Sequence, residues 1–268
     1  MAASIAACLK DTERVWMGDV EQGHACTSQC VGIVFPVYCL GPPNMVKRAV
    51  EAMQIPRDAY VFSVATMGSV PGACHAVLKS MLARKGVTLS AGWSIRMPRN
   101  YTPMGEPPSH EACQSLFTQA EAKAARIAAA VQNREPGPIE DSFVPLRWAG
   151  RAASRLMSGR LATMDRKFHA GEECSSCGTC ERVCPVGNIR LDNGSPVWQQ
   201  HCEQCFACLH WCPVDAIQWG HGTVGRKRYH HPAFKAADFF LRPGTEETPL
   251  EKTGGVALSP NEANDAVG

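Results

Sequence analysis

Two runs of four cysteines, spaced alike, constrain this chain more than any other feature. The first is Cys174, Cys177, Cys180 and Cys184, with Pro185 next; the second, 28 positions later, is Cys202, Cys205, Cys208 and Cys212, with Pro213 next. Each reads C-x2-C-x2-C-x3-C-P. Three thiolates at two-residue gaps fall in one tight loop and can grip three corners of an iron–sulfur cube. The fourth has already turned into a helix and points away. The proline ends each ligand stretch and enforces that turn. Gly178 leaves room for backbone to approach a cluster and donate N–H groups to sulfur, and such bonds help set a potential.

Fourteen cysteines are many for 268 residues. A disulfide scaffold needs a signal peptide and an oxidising compartment. The start, MAASIAACLK, is small and apolar but lacks a basic leader. No apolar run approaches the roughly 20 residues that span a bilayer. The expectation is a cytoplasmic chain with reduced thiols and no membrane span, in which metal ligation outweighs disulfides. Zinc is the runner-up metal, but zinc sites pair one C-x2-C with a distant second pair. Cys8, Cys26, Cys30, Cys39, Cys74 and Cys113 match no metal template and read as buried free thiols. His169, His201 and His210 flank the runs and read as packing or hydrogen-bonding residues. A net charge of +2 argues against a nucleic-acid surface.

Residues 1–135 alternate strand-like and helix-like segments, the pattern of an α/β layer with a mostly parallel sheet. Arg14–Val20 reads as a short strand. Val31–Tyr38 reads as a strand buried on both faces. Pro43 opens a helix through Gln54. Tyr60–Met67 is the next strand, Gly72–Lys85 a helix stopped by Gly86, Leu89–Met97 a weaker strand, and Glu111–Arg134 an alanine-rich helix. Glu135–Pro145, with three prolines and a glycine, is the clearest linker. The connecting region, 136–170, continues as a helix over Arg147–Phe168. Its Arg147, Arg151 and Arg155 form one stripe, either a solvated face or a dock for an acidic partner or a membrane. Residues 171–225 hold both cysteine runs, with Asp192-Asn193-Gly194 as a hairpin signal. Residues 226–268 read as an extended wrap and a disordered end.

The cysteine spacing is that of bacterial two-cluster ferredoxins, small α+β domains in which the fourth cysteine of each run ligates the other cluster. That resemblance implies Cys174, Cys177, Cys180 and Cys212 around one 4Fe–4S cluster and Cys202, Cys205, Cys208 and Cys184 around a second. Residues 171–225 hold six carboxylates (Glu172, Glu173, Glu181, Asp192, Glu203, Asp215) against Arg182 and Arg190, so low potentials are expected. More widely, VFPVYCLGPPNMV (34–46), ATMGS (65–69), MPRNY (97–101), VWQQHCEQCFACLHWCPVDAI (197–217) and GRKRYHHP (225–232) resemble a bacterial fusion family in which a flavodoxin-like domain precedes a two-cluster ferredoxin. The resemblance implies a doubly wound sheet with FMN between two loops. Pro36, Val37 and Tyr38 would lie on one side of the ring, with Tyr38 stacking, and Thr66, Met67 and Gly68 on the other. The family's first strand and its S-G-T-G-N-S phosphate loop are not in this sequence. Either the true start lies upstream of Met1, the favoured reading, or the domain has lost a central strand; the given chain is expected to bind FMN weakly or not at all.

The functional expectation is a low-potential electron carrier serving a redox partner protein. Two alternatives stand beside it: an iron–sulfur flavoprotein oxidoreductase acting on a small molecule, and a flavin-free docking module fused to a ferredoxin. Asn100, Tyr101 and His75 are the only acid–base candidates, and each reads better as structural.

Overall fold

A computed structural model describes residues 1–23 and 25–240. The expected disordered end, apart from its first residues, lies outside the described residues. The fold is mixed α/β. Its N-terminal part runs α1 (Ala2–Ala7), α2 (Met17–Glu21), β1 (Cys30–Pro36), α3 (Asn44–Ala52), β2 (Tyr60–Met67), α4 (Cys74–Arg84), β3 (Leu89–Arg96) and α5 (His110–Gln132). The three strands form one parallel sheet in the order β1-β2-β3.

The sheet is the middle of three layers. Val31, Ile33 and Phe35 of β1 pack with Val46, Ala49 and Val50 of α3 and Leu78 and Leu82 of α4 on one face. Phe62 and Val64 of β2 and Trp93 and Ile95 of β3 pack on the other face with Ile5 of α1 and Ala124, Ile127 and Ala128 of α5. Alternation along the strands produces this split, because successive side chains point to opposite faces. Helix α5 starts where Ser109 Oγ accepts the Ala112 N–H at 3.3 Å, a side-chain N-cap.

Three expectations need correction. Arg14–Val20 is not a strand: Trp16 turns the chain into α2, whose Val20 buries against the α3 side of the sheet. β1 is not buried on both faces. It is an edge strand, with Gly32 and Pro36 exposed on its second face. The Pro- and Gly-rich segment after α5 is not a free tether. It runs beside β3, where the Gly92 N–H donates to Pro138 O at 2.8 Å and the Glu140 N–H donates to Gly92 O at 2.8 Å. Farther on, Asp141 Oδ1 accepts the His75 N–H at 3.0 Å near the start of α4. A sheet edge presents unpaired N–H and C=O groups, and this segment supplies partners for them.

The chain continues as α6 (Val144–Thr163), then β4 (Phe168–Ala170), α7 (Thr179–Arg182), β5 (Ile189–Asp192), β6 (Ser195–Trp198), α8 (Ala207–His210) and β7 (Ile217–Trp219). β4 pairs antiparallel with β7, and β5 with β6. The β5–β6 hairpin turns at Asn193 and Gly194, both with positive φ (47° and 81°), as the Asn-Gly signal predicts. Residues 226–240 wrap back: Arg226 Nη1 donates to Thr102 O at 2.8 Å, and the Lys227 N–H donates to Glu106 Oε2 at 3.0 Å.

Candidate metal centre

The two cysteine runs fold into copies of one loop. In the first, Ser176 (φ 55°), Gly178 (71°) and Gly187 (60°) are left-handed; in the second, Gln204 (57°), Phe206 (61°) and Asp215 (50°) occupy the corresponding positions. Each pair of left-handed residues curls the backbone around the cysteines, and a short helix, α7 or α8, then starts with the third cysteine inside it. Backbone donors point at sulfur: the Asn188 N–H reaches Cys184 Sγ at 3.2 Å and the Gln204 N–H reaches Cys202 Sγ at 3.2 Å.

The fourth cysteine of each run crosses over. Cys174, Cys177, Cys180 and Cys212 line one cavity together with Gly178, Leu191 and Ile217. Burial first, and then the nearby Cys177, Cys212 and Cys174, push the Cys180 thiol up to about 11. In the second set, burial first, and then Cys205, Cys202 and Cys184, push Cys208 well above the usual thiol range. Cys212 thus joins the first run and Cys184 the second. Among the described residues, no group of three or more His, Cys, Asp or Glu side chains converges to hold a single metal ion. A cubane is gripped differently, one thiolate per iron corner, so its sulfurs stand apart around a volume. Two facing loops of soft thiol donors with N–H groups aimed at sulfur fit that requirement.

The surroundings of the two sets differ. Cys177 is exposed, and its thiol is lowered by the Thr179 side chain and backbone. The second set lies against the N-terminal layers. Burial pushes Cys205 up to about 12, and Cys202 farther. Glu203, only 5% exposed, accepts the Met45 N–H of α3 at 2.8 Å and Arg48 Nη1 at 3.2 Å. A carboxylate at a helix N-terminus satisfies an orphan donor and the helix dipole. Burial nonetheless raises its pKa, with Arg48 opposing. His210 is also buried. Its Nε2–H donates to Asn100 O at 2.7 Å while Nδ1 accepts the Tyr229 N–H at 3.2 Å, which fixes the neutral tautomer. Burial holds its pKa down at about 4.

Sequence reasoning missed Glu203 and the buried Asp165 as fastening residues. Asp165 Oδ2 accepts from Asn188 Nδ2 at 2.9 Å and from the Gln200 N–H at 2.8 Å, tying the stretch before β4 to both cysteine loops. No motif marks either one; their partners lie 23 to 158 residues away. His169 and His201 are exposed. Asn100 is exposed and meets His210 through its carbonyl oxygen, and the Tyr101 ring meets Phe206 edge-on at 5.0 Å. His75 is fully buried between Ser63 Oγ (2.7 Å) and Ser94 Oγ (3.0 Å). Of the six remaining cysteines, only Cys74 and Cys113 are buried; Cys26 and Cys30 are half-buried, and Cys8 and Cys39 are exposed, against expectation.

The six residues assigned to a flavin lie at the ends of β1 and β2, side by side. Pro36 is in register with Thr66, and the Val37 N–H donates to Thr66 O at 2.8 Å. Tyr38 closes a tight turn with Gly41 through two mutual bonds of 2.9 Å. Burial, and then Cys205, Glu203 and Cys202, hold its phenol well above the usual range, so it borders the second thiol set. The side of Gly68 where a Cβ would stand is filled by Arg99, whose Cγ comes within 2.5 Å of that position. In open α/β sheets a cofactor crevice forms where strand order reverses, and the described strands run in sequence order without a reversal. A ring would need Arg99 to turn away and a crevice these strands do not form, so the residues present fit FMN poorly.

Among comparisons with known proteins, residues 173–217 match the family model of the 4Fe-4S dicluster domain. No curated protein and no solved structure matches the chain. The matched stretch spans both loops and all eight patterned cysteines, and it identifies a ferredoxin-like, 4Fe-4S-binding domain, for which electron transfer is the activity suggested.

Proposed function

We propose that the protein is an electron carrier holding two 4Fe–4S clusters, one on Cys174, Cys177, Cys180 and Cys212 and one on Cys202, Cys205, Cys208 and Cys184. The observation that carries this reading is the exchange of Cys184 and Cys212 between the runs, which gives each loop four thiols instead of three. When bound, such clusters supply one-electron redox chemistry at potentials set by charge, hydrogen bonds and solvent exposure. The chain's own residues do the rest. The eight thiols lose their protons on ligation, so loading releases protons. The Asn188 and Gln204 N–H groups hold negative charge on sulfur. Glu203, His210 and Asp165 keep the loops in place, and Tyr38 and Phe206 exclude water from the second set.

The difference in exposure supports a direction of traffic: the first set, open at Cys177, meets the redox partner protein, and the second is the inner site. No step is drawn through FMN. The clamp that Glu203 and His210 make on α3 and Asn100 favours the alternative in which the N-terminal layers serve as a flavin-free docking body. Anaerobically reconstituted protein, reduced and mixed with a one-electron acceptor such as cytochrome c, is expected to deliver about two electrons per chain, one per cluster. Absence of transfer from protein with a full iron content would defeat the carrier reading. Release of stoichiometric FMN on denaturation would instead support the flavoprotein oxidoreductase.

A further inference from the structure

Helix α6 has an outward face that the electron-carrier reading leaves unused. From Val144 to Met164 the chain has four arginines, Arg147, Arg151, Arg155 and Arg160, and no carboxylate. The inward side is small: Gly150 lies close to Leu40 and Ala73, and Ser154 close to Gly41. The outward side carries Val144, Trp148 and Leu156, which are 53%, 68% and 69% exposed, and Phe143 just before the helix is 70% exposed. Spacings of four and eight residues put Val144, Trp148 and Leu156 on one stripe. Single exposed apolar side chains are ordinary, but four along one helix form a patch. Beside Trp148, between α4 and α6, lies an open cleft of about 500 Å³ lined by Ala76, Lys79, Ser80, Arg147, Trp148 and Arg151. Its lining holds three cations and no carboxylate. Asp141, near Arg147 and Arg151, is turned inward to the His75 N–H.

We propose that this face binds the surface of an anionic phospholipid membrane, with a lipid phosphate in the Lys79–Arg147–Arg151 cleft and the Trp148–Leu156 stripe among the upper acyl chains. Charge complementarity and adjacency both favour this occupant. A phospholipid carries phosphate and hydrocarbon in one molecule, and Trp148 lies on the boundary between cleft and stripe. Indole rings and arginines are the side chains that settle at the headgroup level. Basic residues near an anionic leaflet strengthen binding by about fivefold each. No helix among the described residues is long and apolar enough to cross a membrane.

The test uses the full, cluster-loaded chain and vesicles of phosphatidylcholine with or without one-third phosphatidylglycerol. Co-sedimentation with the anionic vesicles alone is expected, weakening as salt rises. Arg151→Glu with Arg155→Glu is expected to weaken it at least tenfold, with iron content and circular dichroism unchanged. Brominated acyl chains are expected to quench tryptophan fluorescence of the native chain and to do so far less in Trp148→Phe, a readout that needs no disruptive variant. Equal binding to both vesicle types, no binding, or binding indifferent to the arginine pair would overturn the proposal. So would inorganic phosphate binding without vesicle binding, a dimer dissolved by Trp148→Ala, or an acidic protein partner occupying the stripe while vesicles fail to bind.

Discussion

Around Cys177 the backbone curls through Ser176 and Gly178; around Cys205 it curls through Gln204 and Phe206 with the same handedness. Glycine takes that conformation freely, whereas a phenylalanine there costs roughly 1–2 kcal/mol. Phe206 offsets this by packing: it is 1% exposed and meets Phe168 at 5.2 Å, Tyr101 at 5.0 Å and Trp219 at 6.0 Å. The first loop keeps Gly178 and stays open to solvent at Cys177. The second uses a strained aromatic residue to join its thiols to the N-terminal layers. Repeated spacing thus prescribes one loop geometry twice, while the residues between the cysteines decide which copy faces outward and which is enclosed.

The harshest way to break this comparison is to remove the crossing thiols. Cys184→Ser, a change in the first run, is expected to abolish the enclosed cluster, and Cys212→Ser, in the second run, the open one. Each should cost about four irons per chain, and electron paramagnetic resonance should show the Cys184→Ser spectrum matching that of Cys205→Ser instead of Cys177→Ser. A second test compares thiols in metal-free protein. Cys177, exposed and lowered by Thr179, should react with iodoacetamide at least about tenfold faster than Cys208, buried and raised; peptide mapping by mass spectrometry reads the ratio. Third, Phe206→Ala should cost about 3–5 kcal/mol, and Gly178→Ala at the corresponding position only about 1–2 kcal/mol, both read by denaturant unfolding of the loaded protein.

A further test separates the N-terminal layers from the cysteine loops. Burial between Ser63 and Ser94 holds His75 down at about 4, against an ordinary 6.5. Below 6.5 the unfolded chain takes a proton that the folded chain refuses. The contribution is therefore whole above 6.5 and is lost as pH falls from there toward 4. Between pH 7 and 5 this amounts to about 2 kcal/mol. His75→Asn should flatten that slope in urea titrations without changing iron content.

The three strands were legible because their apolar runs are long and bounded by Pro, Gly and charge. β2 starts and ends where the run Tyr60–Met67 does. α2 was not, because the alternation in RVWMGDV suits a strand, and only tertiary packing of Val20 against the sheet favours a helix. Glu135–Pro145 reads as a linker because its three prolines cannot continue a helix; the open edge of β3, which gives that segment hydrogen-bond partners, is invisible locally. The cysteine loops were legible from spacing alone. Their asymmetry was not, since it rests on contacts such as Glu203 to Met45 and His210 to Asn100, more than a hundred residues apart. That Tyr38 borders Cys205 and Glu203 is likewise invisible locally, since those residues come more than 160 positions later in the chain.

The central claim, two cubanes each gripped by three thiolates of one run and one of the other, is tested most directly by counting iron and acid-labile sulfide after anaerobic reconstitution. The account predicts about eight of each per chain. About one iron with no sulfide, or a retained zinc in its place, would contradict it.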